Sequence, residues 1–489
     1  MTVTMRRSLV LVSLAACVVA CSAPGGSDAS RLSTTTAGNA TAALPHVDTP
    51  PINVAAIDSL IKRVVEERHL VGVSVGVMQN GKVILANGYG FRRLAPNEPL
   101  TATTMMPIGS VTKQFTCTAA LLLAQDGTLS MRDPVSKYVP SATRASAITL
   151  LDIGQHVSGY RDYYPLDFVD REMQKAESAD TIIARFATRA LDFEPGSRWS
   201  YSNTNFLILG KAIEAAARQP IGAMLRERIF GPLGMTRTAY DPPATDTGMS
   251  QGYTSYALAS PSPALPEASG WTGAAGAMWS TPTDLLAWDL SLLDNKLLNA
   301  ASFATLTAPR TLSDGRSTGY GCGMSAQVTG DAVVLSHGGA VAGSVATNII
   351  VPITRSAIVV LSNADFAATG EIVDALLPKL TPHVDAPKIA GLSALDAAKA
   401  FLTSVERGSV DRSTLGDDFN ALLTPKHLAA DRASLATFGK VTDVQVVRTR
   451  ERGGMEVAIV QFMVGKTPAR SAMYRTPDGK IQQFLINRR

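Results

Sequence analysis

The stretch Thr112–Gln125, TKQFTCTAALLLAQ, constrains the chain more than any other part of it. Phe115, Cys117, Ala119, Ala120, Leu121, Leu122 and Leu123 leave a helix here with no polar face, and such a helix lies inside a domain. Gly127 ends it in the usual way. Yet its first turn carries Lys113, with Ser110 three residues earlier. Burial favours the amine form of a lysine over the ammonium. Residues three apart at the head of a helix share a face, so Lys113 comes within reach of the Ser110 hydroxyl. A serine beside a base is the arrangement of an activated nucleophile, and a helix N-terminus favours developing negative charge. Ile108-Gly109 precedes the serine, and Gly109 lets backbone or substrate approach closely. Ser59-Leu60-Ile61-Lys62 has the same spacing but sits in an ordinary amphipathic helix, so it is read as structural.

Two further segments supply groups that could serve such a serine. Tyr201-Ser202-Asn203 follows the turn Glu194-Pro195-Gly196 and precedes an apolar helix from Phe206. A tyrosine facing a cation is drawn toward phenolate and can act as a base. Asn203 can bind a substrate amide or orient Lys113, having both a donor and an acceptor. His337-Gly338-Gly339 closes the strand-like run Val333–Ser336. The glycines let substrate lie along the strand, and the Ala340 N–H can join that of Ser110 in an oxyanion hole. Taken singly, the tyrosine reads as a surface residue beside a helix cap, and the histidine as a buried residue in a strand-ending turn.

Together and in this order, the three segments resemble the active-site set of the class C β-lactamase-like serine hydrolases. That family includes low-molecular-mass penicillin-binding proteins, carboxylesterases and D-amino-acid peptidases. Gly76–Gly90 resembles its opening hairpin, Ile108–Thr116 its nucleophile segment, and Ile148–Gly159 the segment ending in His-Thr-Ser-Gly, here His156-Val157-Ser158-Gly159. Phe193–Gly210, Gly273–Trp288 and Leu335–Gly343 continue the likeness over roughly Val54–His383. The resemblance implies Ser110 as acylated nucleophile, Tyr201 with Lys113 as general base, and an oxyanion hole from the Ser110 and Ala340 N–H groups. Asn203, His337, Gly338 and Gly339 would contact substrate. It also implies an α/β fold: two layers, an antiparallel sheet flanked by helices, plus a helical subdomain. The third motif departs from the Lys-Thr-Gly of true β-lactamases, which weakens the hold on a substrate carboxylate. An ester, amide or D-amino-acid or cell-wall peptide is therefore the expected small-molecule substrate, with no cofactor. The rivals are a β-lactamase or DD-carboxypeptidase, and a non-catalytic surface lipoprotein on a hydrolase scaffold.

Along the chain, a helix is expected from Val54, then strands Val71–Gln79 and Lys82–Gly88 joined by Asn80-Gly81, a strong hairpin signal. Strand-like runs return at Val333–Ser336, Thr347–Val351 and Ala357–Leu361. The hydrolase domain is placed at 52–383. At 392–489 a small α+β module is expected, resembling cystatin-like or NTF2-like accessory domains. Ser393 would cap its helix, Gly408 would end it, and three or four strands would follow.

The N-terminus carries Arg6 and Arg7, then the apolar run Ser8–Ala20, the length of a signal-peptide core. Residues 1–21 read as a lipoprotein signal peptide ending at Cys21, with Cys17 the alternative lipidation site, and 22–51 as a flexible linker. The expected location is periplasmic or cell-surface, anchored by lipid. Setting Arg6 and Arg7 aside leaves 43 basic residues against 41 acidic. That balance does not suit a nucleic-acid binder. Cys117 and Cys322 are read as buried free thiols, and no Cys/His cluster has the spacing of a metal site.

Overall fold

In the computed structural model the described residues are 46–488, apart from 167, 244–247, 258, 330–331, 368 and 383–386. The signal sequence, Cys17, Cys21, most of the linker and the expected domain end at His383 lie outside them. The linker's last residues do not hang free. Val47 N–H donates to the Ile353 carbonyl at 2.7 Å, and Thr49 N–H to Asn80 Oδ1 at 3.1 Å.

Helix α1 (Val54–Glu67) is followed by β1 (Gly72–Gln79), β2 (Lys82–Leu94) and the short β3 (Asn97–Pro99). Asn80 and Gly81 take φ of 50° and 75°, the left-handed pair that a tight two-residue hairpin requires. The buried helix α2 (Thr112–Gln125) comes next, then α3 (Asn203–Ala217) and α4 (Pro282–Leu293). Strands β4 (Ser325–Thr329), β5 (Ala332–Val341), β6 (Ser344–Val351) and β7 (Ser356–Ser362) lead into α5 (Thr369–Leu380). The seven strands form one sheet in the order β3-β2-β1-β7-β6-β5-β4, every pair antiparallel. Strands from both ends of the domain thus meet at the β1–β7 pair.

Both central strands are buried along their whole length, which sets the layering. Val73, Val75 and Val77, with Ile358 and Val360, pack on Ile57 and Ile61 of α1 and Ile372 and Leu376 of α5. The alternate residues Ala357, Val359 and Leu361 face α2 and α4, where Phe115 stacks on Trp288 at 4.2 Å. Successive strand side chains point to opposite faces, so a strand buried at every position has a cover on each. The domain therefore has three layers rather than the two expected.

Cys117 and Cys322 are also not free thiols. They form a disulfide with Cα atoms 5.8 Å apart, joining α2 to the segment before β4. Apolar surroundings suit a thiol and a disulfide alike, and 205 residues separate the two cysteines, so the local sequence could not pair them.

The C-terminal module is a separate sheet domain. Helix α6 (Ala394–Arg407) is capped by Ser393 and ended by Gly408, as its sequence implies. Helices α7 (Asp417–Leu422) and α8 (Pro425–Phe438), which the pattern did not reveal, precede strands β8 (Val441–Arg452), β9 (Met455–Val464), β10 (Thr467–Arg475) and β11 (Ile481–Phe484). Only Leu428 and Leu435 of α8 are buried, an apolar stripe too thin to show as a helical period. The inner face of β9, from Ala458 through Val460 and Phe462 to Val464, packs on Phe401 and Leu402 of α6. Among the described residues no helix is long and apolar enough to cross a membrane.

Candidate active site

Ser110 stands in one 3-10 turn, Gly109–Val111, that runs directly into α2. It is partly exposed, whereas Lys113 is completely buried. The Lys113 Nζ donates to Ser110 Oγ at 3.0 Å, Asn203 Oδ1 at 2.8 Å and the Ala275 carbonyl at 2.8 Å. Three acceptors match the three hydrogens of an ammonium group. Burial in turn pulls Lys113 down to about 7, with Asp162 acting in the opposite sense. Ammonium and amine therefore coexist near neutral pH.

Tyr201 lies against the same lysine, its ring centroid 4.8 Å from Nζ, and its hydroxyl shares a hydrogen bond with Ser110. Burial raises its phenol well above the ordinary value, outweighing that bond. It rests as a phenol rather than the phenolate its neighbour suggested, because desolvation penalises the anion. Behind it, the His156 ring packs at 4.4 Å, and His156 Nδ1 accepts the Ser202 N–H at 3.2 Å. Burial holds His156 neutral.

Strand β5 completes the site. A β-carbon on Gly109 would lie 2.8 Å from the Ala340 nitrogen, and one on Gly339 would lie 3.0 Å from the Ser110 nitrogen. The two glycines thus bring the Ser110 and Ala340 amides side by side, the pairing an oxyanion hole needs. Gly338 is different: a β-carbon there would meet only the Ala346 carbonyl, at 3.8 Å. Packing does not require that glycine, and its lack of a side chain leaves the strand open above.

His337 reaches the site with both ring nitrogens engaged. Nδ1 donates to the Gly338 carbonyl, so Nε2 accepts from the Tyr320 hydroxyl, at 2.8 Å. Burial and then the nearby Lys113 push its pKa down to about 3. The imidazole therefore carries no charge at neutral pH. A cleft of about 510 Å³ is walled by Thr272, Gly276, Trp279, Glu267, Val341 and Ala342, of which Gly276 lies against Gly109 and Val341 follows Ala340.

The structure gathers Ser110, Lys113, Tyr201, Asn203, His337, Gly339 and Ala340 at one place, as their order in the sequence implied. Asn203 Oδ1 accepts from Lys113 Nζ, the contact that one of its two readings called for. Sequence reasoning missed Asp162, the Ala275 carbonyl and Tyr320. Asp162 lies three residues beyond Gly159, at the edge of a segment already singled out, whereas Tyr320 carried no signal.

A family model described as Beta-lactamase matches residues 57–381. The D-aminopeptidase of Brucella anthropi is 31% identical over 297 residues, 60% of this chain and 56% of that protein. The chain thus spans about half the length of that curated relative. Among solved structures, the octameric penicillin-binding protein homologue from Pyrococcus abyssi superposes with a TM-score of 0.61 at 18% identity, over 90% of this chain and 96% of its own. A D-stereospecific amidohydrolase from Streptomyces sp. reaches 0.58 at 24% identity, over 66% and 98%. These two likenesses concern the fold.

Proposed function

The chain belongs to the beta-lactamase family, and from that premise we propose that it is an exported serine hydrolase acting through an acyl-enzyme on Ser110. Its substrates are esters and amides, with D-amino-acid amides or peptides the favoured class. The observation that carries this reading is the buried Lys113, whose Nζ bridges Ser110 Oγ and Asn203 Oδ1. Lys113 in its amine form takes the Ser110 proton as Oγ bonds to the substrate carbonyl carbon. The oxyanion is received by the Ser110 and Ala340 N–H groups. The Tyr201 phenol gives its proton to the leaving nitrogen or oxygen as that bond breaks, and the proton held by Lys113 restores the phenol. Water then attacks the acyl carbon, passing a proton to the Lys113 amine, and as the C–Oγ bond breaks Lys113 returns that proton to Ser110 Oγ, releasing the acid. The D-aminopeptidase relative supports the amide and D-amino-acid part of the proposal.

The state of His337 argues against an efficient β-lactamase. A β-lactam carries a carboxylate, and here the imidazole is neutral with both nitrogens taken, while Gly338 offers no hydroxyl. One missing contact to a charged group costs about 1.5–3 kcal/mol, tenfold or more in specificity. We expect kcat/KM for a p-nitrophenyl ester or a D-amino-acid p-nitroanilide to exceed that for a chromogenic cephalosporin by at least about tenfold. A cephalosporin value equal to the better of the two would restore the β-lactamase reading.

Export is proposed from the N-terminal signal pattern, and the Cys117–Cys322 disulfide supports it, since such bonds persist in oxidising compartments. Lipidation is proposed at Cys21. Cys21→Ser should move the protein from the membrane fraction to the soluble one and abolish the acyl mass at the mature N-terminus. Unchanged fractionation and mass would remove the anchor from the account.

A further inference from the structure

Asp162 lies just behind the Lys113–Asn203 pair, largely buried, and makes no direct contact with Ser110. Its carboxylate accepts the Asn203 backbone N–H at 2.9 Å, the Tyr164 N–H at 3.1 Å, and Asn203 Nδ2 at 3.2 Å to each oxygen. The backbone bond is a helix cap. Asn203 opens α3, and the preceding Ser202 makes no side-chain cap bond. The side-chain bonds decide which way the Asn203 amide faces. A carboxylate can only accept, so the NH₂ must point at Asp162 and the oxygen at Lys113 Nζ. The same negative charge acts on the lysine across this amide. We infer that Asp162 is a positioning residue for the reaction: it locks the Asn203 oxygen onto Lys113 and places a negative charge behind the lysine across this amide. This rests on the reading of Ser110 and Lys113 given above.

The other titratable groups of the cluster are His156, His337, Tyr163, Tyr201 and Tyr320. Burial keeps both imidazoles unprotonated and the three phenols un-ionised. Burial raises Asp162 above the ordinary carboxylate value, while the Asn203 and Tyr164 N–H groups and Lys113 favour its anion; among the described residues it is the charged partner that Lys113 faces. Burial lowers Lys113 and Asp162 raises it, so removing the carboxylate must lower it further. The amine then persists to lower pH, and the acid limb of Ser110 reactivity moves the same way.

The test is the pH dependence of the rate at which a fluorophosphonate labels Ser110, followed by intact mass in the full chain. Labelling forms the Oγ–P bond, expels fluoride and leaves the serine proton on Lys113. Wild type should show a midpoint near the lysine value of about 7. Asp162→Asn and Asp162→Ser should lower that midpoint by about one pH unit, and also slow labelling on the plateau. Asp162→Glu, which keeps the charge, should hold the midpoint while the plateau falls. A merely structural role would slow labelling at every pH without moving the midpoint. An unmoved midpoint in a folded neutral variant, or a Glu midpoint displaced as far as the neutral variants', would overturn the inference. Absence of labelling in wild type would instead overturn the acyl-enzyme reading.

Discussion

Replacing Ser110 by alanine should reduce turnover of any good ester or amide substrate by about 10³-fold or more, while Ser59→Ala should leave it unchanged. Removing a nucleophile that acts as a unit with its base leaves only binding and oxyanion stabilisation. The two serines share the same spacing to a lysine, so the comparison isolates environment. Lys113 is completely buried and its Nζ touches Ser110 Oγ at 3.0 Å. Lys62 is exposed and pairs with Asp58 at 2.7 Å, one turn away on the same helix. The Lys62 Nζ is thus engaged by a carboxylate in solvent, whereas that of Lys113 is held against the serine hydroxyl inside the domain. The measurement is kcat/KM on a p-nitrophenyl ester for wild type and both variants, with circular dichroism to confirm folding. Equal activity of wild type and Ser110→Ala would end the nucleophile assignment.

The second large effect is on stability. The double variant Cys117→Ala/Cys322→Ala should be destabilised by about 4 kcal/mol, with Tm lowered by roughly 10 °C. The bond closes a loop of 205 residues, long enough for its constraint on the unfolded chain to be near the upper end of the usual range. It also lies where rigidity bears on the site. Cys117 is one turn beyond Lys113 on α2, and Cys322 is two residues from Tyr320, the hydrogen-bond partner of His337. Thermal unfolding of wild type, with and without reductant, should bracket the variant. Equal Tm values, together with unlinked Cys117 and Cys322 peptides in a non-reducing digest, would refute the bond.

The parts of this protein legible in its sequence are those governed by short separations. The hairpin turn at Asn80-Gly81, the buried course of α2, the Ser393 and Gly408 boundaries of α6 and the three-residue step from Ser110 to Lys113 all follow from local conformational rules. The close approach expected at Gly109 was legible too, but what approaches, the Ala340 backbone, is not local. Resemblance to a family then linked Ser110, Tyr201 and His337, which periodicity alone could not connect.

What only the tertiary structure decided depends on contacts between distant segments. The third layer arose because β1 and β7, buried at every position, pair at the sheet's centre, and neither strand encodes its own neighbour. The acceptors that hold Lys113 come from Asn203 and Ala275, 90 and 162 residues away. Asp162 is 41 residues from the amide it orients. The neutral state of His337 required its burial and the nearby Lys113, and the protonated state of Tyr201 required knowing that burial outweighs its hydrogen bond to Ser110. Sequence named the groups that can react, because chemical type and local spacing are written in it. Their protonation was set by desolvation and by partners brought in from elsewhere in the chain, and these exist only once the core has closed around them.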